Sequence, residues 1–169
     1  MHALKFLRPG RVGPFSKVTW PEPGRWLEAE ETPELCAAGI HAFLPQVLAT
    51  WIAEELWRVE LDGAQAFAPG VVVAPKGRLV ARVEKWNDET AREFARACAA
   101  HVADATNGRA GEYAADAKAS AEEAVADYTA TTVAYMAAHA AEARASGGFK
   151  TEREWQSRWL AERLGLSAI

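Results

Sequence analysis

All eight prolines of this 169-residue chain lie at or before Pro75, and alanine dominates everything after Trp86. Proline fixes φ and removes an amide donor, so it is excluded from helix interiors and central strands and favours turns and strand ends. Alanine has the highest helix propensity. The chain therefore divides into residues 1–86, which also hold five of the seven tryptophans, and residues 87–169, which hold 25 alanines. Short strands and turns are expected in the first portion and long helices in the second. The predicted class is α+β: a small, mostly antiparallel sheet covered by helices, packed together as one domain.

Composition narrows the class of function. Half of the residues are apolar and a quarter charged, which suits a folded core and excludes disorder as the main state. The first portion has ten basic and ten acidic residues, so the net charge of −4 belongs to the helical portion. That balance argues against a nucleic-acid partner. No apolar run is long enough to span a membrane. The opening MHALKFLRPGR lacks the apolar core of a secretory signal, and two cysteines make no disulfide framework, so a cytoplasmic location is expected.

Periodicity places the elements. Residues 3–7 alternate, with Leu4 and Phe6 on one face and Lys5 on the other, and residues 57–61 alternate Trp57, Val59 and Leu61 against Arg58 and Glu60. Strands are also expected at 25–29 and 39–44, and a hairpin or tight corner at Pro75-Lys76-Gly77 between strands 71–74 and 79–83. Pro45 opens a helix carrying Val47, Leu48, Trp51, Ile52 and Leu56. In the second portion Asn87 or Asp88 caps a helix to about residue 104. Asn107-Gly108 separates it from a stretch over 111–145, with a bend or break near the β-branched residues 129–133. Thr151-Glu152-Arg153-Glu154 reads as a capping box, and Gly165 stops the final helix.

Residues with chemical potential are few. Cys36-x4-His41 and Cys98-x2-His101 are the only thiol–imidazole pairs, and zinc would need both. Buried thiols explain the cysteines more simply. His41, on a predicted strand, and Glu60 are the candidate catalytic groups. Arg8, Arg11 and Lys17 surround the Pro9-Gly10 and Gly13-Pro14 loop and suit an anion, although PGRVGP matches no phosphate-binding fingerprint. Trp20 and Trp26 flank the next turn and suit stacking on a planar ligand.

The blocks KFLRPGRVGPFS at 5–16, LCAAGIHAF at 35–43 with ELWRVELDG at 55–63, and VVAPKGRLVARVEKW at 72–86 resemble an uncharacterised family of bacterial and phage proteins. EREWQSRWLAERLGL at 152–166 resembles its bacterial members. The order GIHAF, helix, WRVELDG is more remotely similar to the ADP-ribosyltransferase-like fold. That resemblance implies an NAD cleft with His41 near the nicotinamide and residues 4–8 on its first strand. The chain has no His-Gly-Thr motif near Phe6 and no glutamate just before Val71. Three readings follow: a binding or interaction module for a small molecule or protein partner, an NAD-dependent transferase using His41, Arg8 and Glu60, and a zinc-stabilised protein.

Overall fold

In a computed structural model, which describes residues 1–29, 38–122 and 126–166, the first portion forms one sheet and the second a layer of helices. The α+β expectation holds. The strands are β1 (His2–Leu7), β2 (Trp26–Glu28), β3 (Ile40–Phe43), β4 (Glu55–Asp62), β5 (Gln65–Ala68), β6 (Val71–Ala74) and β7 (Lys76–Arg82). Every pairing is antiparallel, in the order β2-β7-β4-β1-β3-β6-β5.

Of the hairpin or tight corner expected at Pro75, the structure shows the corner. β6 and β7 are separated by Pro75 alone, yet they lie four places apart in the sheet and pair with different neighbours. They act as a single strand bent at Pro75, whose ring supplies no amide donor. One bent strand can reach both sides only if the sheet curls back on itself. The inner face of that curl is lined by Ala3, Leu7, Ile40, Ala42, Trp57, Val59, Leu61, Ala74 and Leu79 around the buried indole of Trp20. Small residues make the room. A Cβ on Gly77 would lie 3.1–3.2 Å from side-chain atoms of Leu61, Ile40 and Trp20 at once.

The outer face of the sheet meets the helices. Leu4, Phe6 and Leu56 share one core with Trp86 and with the alanine faces of α1 (Asp88–His101), α2 (Gly108–Ser120), α3 (Ala126–Arg144) and α4 (Gly148–Leu164). Alanine lets these helices approach closely while contributing apolar area. The Asn87 side chain caps α1 by accepting from the Thr90 amide, as the sequence predicts.

Three expectations need correction. Residues 45–56 are not one α-helix: Pro45–Thr50 is a short 3-10 helix with a non-helical Val47 (φ −126°, ψ 16°), and Leu56 already belongs to β4. The stretch over 111–145 breaks after Ser120 rather than at 129–133. β-branched residues cost only a few tenths of a kcal/mol in a helix, and Val133 is fully buried within α3. The capping box is displaced because the N-cap of α4 is Gly147, four residues before Thr151. Its free amides at Gly147 and Phe149 donate instead to the Glu142 carboxylate from the end of α3. Gly165 does stop α4, in the left-handed conformation, with the Leu166 amide donating to the Ala161 carbonyl. Among the described residues no helix is long and apolar enough to cross a membrane.

Candidate functional site

The residues singled out by sequence do not converge. His41 lies on β3, where it pairs with Val73 of β6. Glu60 lies on β4 beside His2. The two sit on strands that are not neighbours, with β1 between them. Arg78 hydrogen-bonds Glu60 at 2.8 Å and holds its carboxyl below the usual range, so it stays an ionised, paired acceptor. Arg8 sits exposed in the turn after β1. Arg11 donates to the Trp20 carbonyl and pairs with Glu22 at 2.6 Å. Trp20 is buried in the inner core, so it forms no stacking pair with the exposed Trp26, whose ring is covered by Arg78 at 4.8 Å.

The thiol–imidazole pairs give no metal centre among the described residues. Cys36 lies outside the described residues. Cys98 is fully buried in α1, and burial pushes its thiol well above the ordinary value, against the thiolate a metal needs. His101 faces Glu152 on α4 instead. Among the described residues no group of three or more His, Cys, Asp or Glu side chains could hold a metal ion.

Beside His41 the inner face carries one charge. Lys5 Nζ donates to the His41 carbonyl at 2.6 Å and lies 5.7 Å from the Trp20 ring centroid. Among the described residues it has no carboxylate within ion-pair distance. Burial lowers its pKa from 10.5 to about 8. The same lack of solvation, then a Gly39 carbonyl that opposes it, then the Lys5 charge, set the His41 imidazole below its usual value. Because the folded state holds the Lys5 proton less tightly than the unfolded chain, folding is penalised below about pH 8 and relieved as pH rises from 8 to 10.5. Lys5→Met should therefore stabilise the protein by about 2 kcal/mol at pH 7, and the gain should shrink above pH 8. Urea unfolding of both proteins at pH 7 and pH 9.5 measures it. A difference independent of pH would show that the amine carries no such penalty.

The residues that do converge surround a groove of about 1210 Å³ between the 3-10 helix and α4. Leu44, Pro45, Val47 and Trp51 form one wall, and Tyr135 and Phe149, in edge contact at 5.8 Å, close one end. Phe15 packs edge-on against Trp51 at 4.6 Å. Phe15, Trp51 and Tyr135 are 71%, 39% and 50% exposed, so large apolar rings gather here rather than scatter. The facing wall is a stripe of α4 at helical spacing: Lys150, Arg153, Glu154, Ser157, Arg158 and Ala161.

A buried polar relay fixes the centre of that wall. His101 Nδ1 lies 2.7 Å from Glu152 Oε2, and the imidazole stacks on Trp155 at 3.7 Å. Gln156, fully buried, donates from Nε2 to Glu152 Oε1 at 3.1 Å and to the Ala134 carbonyl at 2.9 Å. Its Oε1 accepts from the Arg153 guanidinium at 2.8 Å. Arg153 also donates to the Ala49 carbonyl of the 3-10 helix, and Ser157 Oγ accepts from the Ala49 amide at 3.1 Å. The relay joins α1, α3, α4 and the 3-10 helix and leaves the guanidinium at the groove in one orientation.

None of these groove residues stood out in the sequence. Trp51 read as helix core, and Arg153 was hidden inside the supposed capping box. The spacing of Lys150, Arg153 and Ser157 is the one signal that marks a second used face on α4. No family model matches the chain, and neither the curated proteins nor the solved structures provide a match.

Proposed function

We propose that the chain is a non-catalytic binding module that receives an apolar ligand in the groove between the 3-10 helix and α4. The observation that carries this reading is the gathering of Trp51, Tyr135 and Phe149 around one concavity with a pre-ordered wall, with Phe15 packed on Trp51. Concave, mostly apolar sites with a few fixed polar groups are the usual form of small-molecule sites. The polar groups here hold one another and the main chain, and no paired nucleophile and base faces the opening among the described residues. That arrangement suits recognition rather than bond-making.

The neutral dye N-phenyl-1-naphthylamine tests the reading. Its fluorescence should rise on saturable binding to the protein. Trp51→Ala, which removes one wall from a partly exposed position, should weaken binding by roughly tenfold, as the loss of one aromatic contact of about 1.4 kcal/mol implies. Absence of saturable binding, or equal affinity in the variant, would overturn it.

A further inference from the structure

The charges on the groove wall point to the kind of ligand. In a chain of net charge −4, this wall carries Lys150, Arg153 and Arg158 against Glu154 and Glu162. Lys150 lies 3.9 Å from Glu154. Among the described residues neither Arg153 nor Arg158 has a carboxylate within ion-pair distance. Arg153 is half-buried, and the acceptors of its hydrogen bonds, the Gln156 amide oxygen and the Ala49 carbonyl, are neutral. Burial lowers its pKa from the ordinary guanidinium value, and the field of nearby acidic groups, Glu152 among them, only partly offsets that. A guanidinium has five N–H donors, so two hydrogen bonds leave capacity for an incoming anion. Charge-assisted bonds from arginine to a carboxylate are among the strongest that a site of this kind can make.

We infer that the groove selects an amphipathic organic carboxylate, its head on Arg153 and Arg158 and its acyl or aryl body against Trp51, Tyr135 and Phe149. The inference rests on the groove being the binding site proposed above. The walls are an α-helix and a 3-10 helix, which present no open strand edge for an extended peptide. A single half-buried guanidinium beside an apolar trough matches one anionic head on an apolar body.

Competition against bound N-phenyl-1-naphthylamine separates this inference from the reading beneath it. Decanoate and 1-decanol share an alkyl chain and differ in the charge of the head. On apolarity alone the alcohol is the better competitor. In the intact protein decanoate should displace the dye at a concentration about tenfold lower than decanol, the ratio that one net charge-assisted contact supplies. In Arg153→Met the ratio should fall to one or below. Arg158→Ala, at an exposed position that folding does not need, should reduce it about threefold and carries the test if Arg153→Met fails to fold. If the dye binds and decanol competes as well as decanoate in the intact protein, the carboxylate inference fails while the groove reading stands. An unchanged ratio in both variants also overturns the inference. If the dye itself does not bind, the groove reading fails and takes the inference with it.

Discussion

Trp86→Ala should lower the free energy of unfolding by about 4 kcal/mol, the range for removing a large buried aromatic. Trp86 is 2% exposed and stands where the sheet hands over to the helices, one residue before the Asn87 cap. Its ring meets Phe6 of β1 edge-on at 5.4 Å, and Nε1 donates to the Ala53 carbonyl at 2.8 Å. Alanine would leave a cavity between the layers and an unpartnered carbonyl within it. For a chain of this length the melting temperature should fall by roughly 8–16 °C. Trp86→Phe, which keeps most of the area and loses the donor, should cost less than half as much. Urea unfolding of the three proteins tests this. A Trp86→Ala protein within 1 kcal/mol of the parent would mean that this indole does not join sheet to helices.

Gln156→Ala should cost about 3 kcal/mol although the side chain is uncharged. Its amide is the middle of the relay. Removing it leaves one Glu152 oxygen and one Arg153 N–H without that partner in the interior and takes the second donor from the Ala134 carbonyl. Gln156→Leu separates the causes, because leucine restores volume and none of the hydrogen bonds. Leucine and alanine should both be strongly destabilising. Near-parental stability for leucine would show that Gln156 acts as filler. Gln156 does not line the groove, so its second effect is on position. With Arg153 released, the preference for decanoate over decanol should drop while dye binding persists.

Local signals made much of the fold legible. Alternation at 57–61 gave β4 its inward Trp57, Val59 and Leu61, and Asn87 and Gly165 marked helix ends through capping chemistry that acts within a few residues. What stayed hidden depends on distant partners. Thr151-x-x-Glu154 has the residue types of a capping box, yet Glu142 from the preceding helix supplies acceptors for the amides at the start of α4. Pro75 signals a corner and cannot report that the two arms join different strands. The groove was least legible, since its walls come from residues 44–51 and 149–162 and its deepest cation is oriented by Gln156 and Ala49. An anion loop at Arg8 and Arg11 was easier to imagine from sequence, but Glu22 and the Trp20 carbonyl already engage Arg11.

The bend at Pro75 has a consequence for how the sheet comes apart. Native proteins open in cooperative blocks, usually along supersecondary boundaries where few bonds cross. Here a continuous backbone runs from the β3–β5 side to the β4–β2 side through one residue. The lateral junction of the two sides is the Leu4–Phe43 pair of β1 and β3, so the backbone link through Pro75 is what should make fraying of one side pull on the other and the deepest amide protons of both exchange as a single block.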